Sequence, residues 1–206
     1  MTDIITIVDY GMGNIGSIVN IIKKAGGKSE ISSDKDVILK SKKIILPGVG
    51  SFDSGMLKLQ EYGLIDVLNK KVLEDRTPIL GICLGMQLMT KKSDEGMLEG
   101  FSWVDAETIK FKSVNKKFRI PHMGWNNVFK NKNHDILNNI NFSESRYYFV
   151  HSFYIKCKNP FEVLLSCDYI DIFDAAFQKD NIIGVQFHPE KSHKFGLEII
   201  KNFIKM

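Results

Sequence analysis

Pro78-Ile-Leu-Gly-Ile-Cys-Leu-Gly-Met-Gln-Leu-Met89 is the stretch that decides how this chain folds. It is the longest mostly apolar run, yet it is too short to span a bilayer, contains Gln87 and is interrupted by Gly81 and Gly85. Ile79 to Ile82 reads as a buried strand that runs directly into a helix. At that junction Gly81-Ile-Cys83-Leu-Gly85 is the thiol counterpart of the G-x-S-x-G nucleophile turn. Glycines two residues to either side let a strained turn form without Cβ clashes and leave the sulfur exposed at the carboxyl end of the strand. The N-terminus of the following helix favours a thiolate and points backbone N–H groups at developing negative charge. A buried cysteine packed between glycines of an α/β sheet fits the same five residues. A base within reach of the sulfur would separate the two readings.

Outward from this turn, the first ninety residues alternate short β-branched runs with segments of helical period, the pattern of βαβ units and a parallel sheet. Strands are expected at Ile4 to Val8, Lys28 to Ile31, Lys43 to Leu46 and Ile79 to Ile82, with helices at about Asn14 to Ala25, Asp34 to Leu39, Phe52 to Leu59 and Leu64 to Glu74. Gly26-Gly27 closes the first helix. From Phe101 to Gln178 the pattern changes to short alternating runs, Phe101 to Phe111, Arg146 to Lys156 and Glu162 to Asp168, which read as antiparallel strands added to the core. A strand at Ile182 to Phe187 and a helix at Lys194 to Ile204 end the chain. The class expected is α/β, with a mostly parallel central sheet flanked by helices. No repeat or linker divides the 206 residues.

Composition narrows the function. With 44% apolar and 25% charged residues the chain is neither disordered nor fibrous. Its net charge of +4 is spread over scattered pairs such as Lys23-Lys24, Lys42-Lys43, Lys70-Lys71, Lys91-Lys92 and Lys116-Lys117. That is a solvated surface rather than a nucleic-acid stripe. Asp3 near the start argues against a signal peptide, and no membrane role is expected. Cys83, Cys157 and Cys167 have no C-x-x-C spacing, so neither a disulfide framework nor a metal site is expected, and a reducing compartment fits.

Gly11-Met-Gly13-Asn-Ile-Gly16 matches G-x-G-x-x-G between a strand and a helix, but Glu30 and Asp34 are poorly placed as its acidic partner, and a tight turn explains the glycines without a dinucleotide. A better companion for Cys83 is His188-Pro-Glu190. Pro189 holds His188 extended, so Glu190 can reach one imidazole nitrogen while the other faces the thiol. His188 also ends the last strand, at the sheet's carboxyl edge, where α/β sites form. His122, His134 and His193 read as loop residues and His151 as a strand residue. Leu46-Pro-Gly48-Val-Gly50 is a glycine-rich turn at the end of the third strand. It can offer the N–H groups of Val49 and Gly50, with that of Leu84, as an oxyanion hole. Thiol, base and oxyanion donors on three strand ends indicate acyl transfer.

These residues resemble a known family. Gly81-Ile-Cys-Leu-Gly-Met-Gln87 with Gln186-Phe-His-Pro-Glu190 looks like the class I (triad) glutamine amidotransferases, over nearly the whole chain. Asp9-Tyr-Gly-Met-Gly-Asn14, Leu46-Pro-Gly-Val-Gly50, Pro121-His-Met-Gly-Trp-Asn126, Tyr148-Phe-Val-His-Ser152 and His188-Pro-Glu-Lys-Ser192 are similar to motifs of the glutaminase subunits of imidazole glycerol phosphate synthase. The resemblance implies one flavodoxin-like glutamine amidotransferase domain over 1–206, in the cytoplasm, with no cofactor. It implies that Cys83 attacks the side-chain amide of L-glutamine, that His188 protonates the departing ammonia, and that Gly50, Gln87 and the Ser152 region hold the substrate. It further implies a heterodimer with a (β/α)₈-barrel cyclase subunit docked at Met123, Trp125, Asn126, Tyr148 and Lys191. That partner would use the ammonia to make imidazole glycerol phosphate and an aminoimidazole carboxamide ribotide, a step of histidine biosynthesis. Trp125 beside Met123 and Gly124 suits an interface anchor in a loop. Two stretches, Met97 to Thr108 and Cys167-Asp-Tyr-Ile-Asp-Ile-Phe173, depart from the histidine-pathway pattern. They look like paralogues whose cyclase-like partner modifies a surface sugar.

Overall fold

The computed structural model describes residues 3–112 and 118–206; the Lys116-Lys117 pair lies outside them. Strand and helix alternate through β1 (Ile4–Val8), α1 (Ile15–Lys24), β2 (Lys28–Ser32), α2 (Lys35–Lys40), β3 (Lys43–Leu46) and α3 (Phe52–Glu61). α4 (Ile65–Asn69), continued by a wider turn over Lys70–Glu74, leads to β4 (Ile79–Ile82) and α5 (Leu84–Leu88). Local signals set these boundaries. Asp34 Oδ1 caps α2 by accepting from Asp36 N and Val37 N at 2.8 and 3.1 Å, and Gly26, at φ +86°, ends α1. The second half supplies β5 (Ala106–Lys110), β6 (His122–Asn127), β7 (Phe129–Lys130), β8 (Arg146–His151), β9 (Phe153–Cys157), β10 (Val163–Asp168) and β11 (Ile172–Lys179), then β12 (Ile182–Val185) and α6 (His193–Lys205).

β2-β1-β3-β4-β12 form the parallel core, extended antiparallel by β11, β10 and β7, with β9 on β11 and β5 on β9. Every residue of β3, β4 and β12 is buried, as parallel strands covered on both faces require. α1 and α6 cover one face, packing Ile18, Ile22, Ile199 and Phe203 against Ile5, Ile7 and Ile45. α2 to α5 cover the other through Ile38, Phe52, Leu59, Leu68 and Leu88. Each such side chain contributes about 1.5–3 kcal/mol by leaving water. β4 sits at the centre of the sheet, so its carboxyl end, where Cys83 follows, is held by neighbours on both sides.

Three expectations change. The run Arg146 to Lys156 is two strands, because β8 pairs with β6 in a separate two-stranded ribbon while β9 joins the main sheet; the switch falls at Ser152. Only Ala106–Lys110 of the Phe101 to Phe111 run is strand. Trp103 turns into the core, stacks on Phe101 at 4.1 Å and donates from Nε1 to Asn69 Oδ1 at 2.8 Å, and Ser102 takes φ +55°. His122 and Trp125 lie on β6 rather than in loops, paired with His151 and Tyr148, and His193 opens α6.

Candidate active site

Cys83 stands at the elbow between β4 and α5 with φ +53° and ψ −110°, a left-handed backbone that costs a non-glycine residue about 1–3 kcal/mol. Its N–H donates to Val185 O at 2.9 Å, and its carbonyl accepts from Met86 N and Gln87 N, so both chain directions are pinned. The flanking glycines answer to close approach. A Cβ on Gly85 would sit 1.9 Å from Leu46 O, and one on Gly81 would sit 2.8 Å from Met86 N.

His188 Nδ1 lies 2.8 Å from Glu190 Oε1, with the two side chains 4% and 2% exposed. His188 is extended, φ −96° and ψ 98°, but Glu190 occupies a single 3₁₀ turn over Pro189–Lys191 instead of continuing the extended segment. Ser192 fixes this turn by donating from Oγ to His188 O at 2.6 Å and accepting from Tyr148 N at 3.0 Å. Burial alone would lower the pKa of His188. The interaction with Cys83, the hydrogen bond to Glu190 and the charge of Glu190 outweigh it, raising the imidazole to about 10. Nε2 is buried and makes no hydrogen bond of standard geometry. The arrangement favours an imidazolium beside the sulfur.

The loop Leu46-Pro-Gly-Val-Gly50 lies against the elbow. A Cβ on Gly48 would meet Gly85 N and Leu84 Cβ at 2.9 Å, and Gly50 has φ +111°. Tyr10, buried, donates its hydroxyl to Pro47 O at 2.6 Å. Gly11 and Gly13 take φ +79° and +137°, and the Cβ position of Gly13 is 3.1 Å from Pro47 Cβ. The G-x-G-x-x-G turn is therefore packed against the Pro47 loop as its support. The N–H of Leu84, first residue of α5, has no intrahelical partner.

These pieces border one cavity of about 330 Å³, lined by Val49, Gly50, Cys83, Leu84, Gln87, Ser152 and His188. A groove of about 460 Å³ bordered by Lys35, Met56, Asp66, Leu98 and Glu99 has no cysteine, serine or histidine in its lining. Gln87 Nε2 donates to Gln186 Oε1 at 3.0 Å and to Phe153 O at 3.1 Å, and Gln186 Nε2 reaches Cys83 Sγ at 3.8 Å. Sequence reasoning missed the acidic side chain of this cavity, Glu95, which stands in a turn 43 positions beyond Phe52 and has no local motif. It also passed over the buried pair His122 and His151. His151 lines the cavity; its Nδ1 is 2.7 Å from Phe153 O, and its Nε2 is 3.0 Å from His122 Nδ1. Burial holds them near pKa 3 and 4, so both are neutral. Burial raises Cys157 and pushes Cys167 to about 12, so neither is a competing nucleophile.

Of the expected docking residues, Met123 is 63% and Trp125 42% exposed at the outer side of the β6–β8 ribbon. Trp125 stacks on His193 at 5.1 Å, and the Lys191 ammonium lies 5.4 Å from the Tyr148 ring centre. Asn126 differs: its side chain turns inward, donating to Asp168 O at 3.0 Å.

A strained thiol at a strand end, an imidazole held by a carboxylate and a glycine-rich loop around one small cavity are the parts that acyl transfer by a cysteine requires. Residues 6–206 match the family Glutamine amidotransferase class-I, and the chain belongs to it. Within that family it is 56% identical to imidazole glycerol phosphate synthase subunit HisH 2 of Methanococcus maripaludis, over 98% of each chain. It is 46% identical to imidazole glycerol phosphate synthase subunit HisH 2 of Pseudomonas aeruginosa, over 98% of this chain and 99% of that one. The structure of PurLQS from Thermotoga maritima shares the fold, with TM-score 0.74 at 19% identity, covering 100% of this chain and 99% of that chain.

Proposed function

We propose that this chain is the glutaminase subunit of imidazole glycerol phosphate synthase, hydrolysing L-glutamine to glutamate and ammonia for a cyclase subunit. The observation that carries the reading is that buried Cys83 and His188 line one cavity of about 330 Å³, with Glu190 2.8 Å from the imidazole. With the Cys83 proton already held by the His188 imidazolium, Sγ attacks the substrate Cδ. The charge that develops on the amide oxygen falls to the N–H groups of Leu84 and of Val49 and Gly50. When the C–N bond breaks, His188 returns the proton to the leaving nitrogen, which departs as ammonia and leaves a thioester. His188 then takes a proton from water, whose oxygen attacks the thioester carbon and releases glutamate and the thiol. Glu190 holds the imidazole and its charge throughout.

Glu95, the carboxylate in the cavity, suits the substrate ammonium, while Gln87 and Ser152 border the rest of the molecule. The exposed Met123, Trp125 and Lys191 suit docking to a (β/α)₈ cyclase barrel, and three free buried cysteines suit the cytoplasm. In histidine biosynthesis that barrel would convert the ammonia to imidazole glycerol phosphate; a sugar-modifying partner is the alternative acceptor, favoured by the Met97 to Thr108 departure. Glutamate release by the chain alone and with its cyclase subunit tests the reading. Activity should be weak alone, strong in the complex and absent in Cys83→Ala; partner-dependent hydrolysis by that variant would refute it.

A further inference from the structure

The acidic residue of the cavity is bonded to more than the cavity. Glu95 Oε2 accepts from Phe52 N at 2.7 Å, the first N–H of α3, two residues beyond Gly50. The residue placed to cap this ten-residue helix, Ser51, makes no cap bond; its hydroxyl donates to Ser54 Oγ at 2.7 Å. Capping of the helix that fixes the end of the Pro47 to Gly50 loop is thus delegated to a side chain that also faces the glutamine pocket. The turn carrying Glu95 is clasped in return. Asp53, in the first turn of α3, accepts from Met97 N at 2.9 Å and Leu98 N at 3.1 Å, and Ser93 Oγ accepts from Glu95 N at 3.1 Å. A Cβ on Gly96 would lie 1.9 Å from Asp53 Oδ1, so only glycine permits the approach.

We propose that Glu95 is a positioning residue for the oxyanion loop, setting Gly50 through the bond that its Oε2 accepts from Phe52 N while its carboxylate lines the glutamine cavity. This rests on the glutaminase reading above. The two roles separate by substitution. Glu95→Gln removes the charge but keeps an oxygen that can accept from Phe52 N; Glu95→Ala removes both. Asp53→Ala, outside the pocket, loosens the clasp with Glu95 intact.

The experiment measures glutamine and glutaramate hydrolysis by the complex with the cyclase subunit, glutaramate being glutamine without its α-ammonium. Glu95→Gln should raise KM for glutamine at least tenfold, leave kcat within about twofold and leave glutaramate turnover unchanged. Glu95→Ala should share the KM effect and in addition lower kcat about 3- to 30-fold on both substrates, the range expected for a lost helix cap. Asp53→Ala should lower kcat with a smaller change in KM. Equal kcat for Glu95→Gln and Glu95→Ala, with Asp53→Ala at the wild-type value, would overturn the proposal. If Glu95→Ala does not fold, Asp53→Ala against Glu95→Gln decides alone. Alkylation of Cys83 by iodoacetamide, which needs neither ammonium nor oxyanion, should be the same in all variants; failure of wild type to alkylate at Cys83 would instead sink the glutaminase reading.

Discussion

Replacing Glu190 by glutamine tests the charge balance on which catalysis depends. The substituted amide oxygen can still accept from His188 Nδ1 at the present 2.8 Å, so the imidazole keeps its tautomer and loses only the negative charge. His188 is raised from 6.5 to about 10 against its own burial, by the interaction with Cys83 and by the hydrogen bond and charge of Glu190. One unscreened opposite charge at this range is worth about 1–3 pKa units, or about 1.4–4 kcal/mol between the protonation states. Both side chains are nearly inaccessible, so solvent does little to reduce the figure. The basic limb of the kcat/KM profile, which reports loss of the imidazolium in free enzyme, should move down by about 1–3 units, to between about 7 and 9, so the loss of activity should be at most about twofold at neutral pH and grow steeply above it. Stability should follow the same sign. A raised pKa stabilises the fold fully below the unfolded value of 6.5, and the gain disappears as pH rises through about 10. Urea unfolding should therefore show Glu190→Gln weaker than wild type at pH 6, with the gap closing toward pH 10. A basic limb that stays within about 0.3 units of wild type would show that Glu190 does not set the charge of His188.

Three further outcomes follow from other parts of the molecule. Gly85→Ala drives a methyl group into Leu46 O and should destabilise the fold by about 3 kcal/mol in urea unfolding; a change below about 1 kcal/mol would mean that β3 and the elbow do not meet so closely. Trp125→Ala should weaken binding of the cyclase subunit by about 2 kcal/mol, near 30-fold by calorimetry, and leave the isolated chain's melting almost unchanged. A loss of about 3–5 kcal/mol of intrinsic stability would instead mark Trp125 as core. Titration with NAD or FAD should give no heat, because Pro47 packs 3.1 Å from the Cβ position of Gly13, where a pyrophosphate would approach the turn, and saturable binding would reopen the dinucleotide reading.

What the sequence disclosed depended on how local the cause was. The βα alternation, the elbow and the His188-Pro-Glu190 turn are written in adjacent residues, so period, glycine placement and one proline suffice to find them. β6 is not legible in this way. His-Met-Gly-Trp-Asn-Asn lacks β-branched residues, includes Gly124 at φ +128°, and is strand only because β8 lies opposite in register. Trp103 hid a similar tertiary cause, since its burial against Asn69 ends a run that alternation alone would extend. Glu95 was invisible because its bonding partner, Phe52, lies 43 positions away and no local motif marks the turn that carries it.

The strain at Cys83 has an evolutionary reading. Glycine would relieve φ +53° at once, yet glycine has no side chain to attack an amide. In the proposed mechanism, catalysis is the counterweight that keeps a costly backbone angle occupied by a side chain. Descendants of this fold that abandon glutamine hydrolysis lose that counterweight, and drift at position 83 should favour glycine over alanine. Across a gene family, the residue at the elbow then dates the loss of activity more faithfully than His188 or Glu190, whose burial keeps them in place after their chemistry has ended.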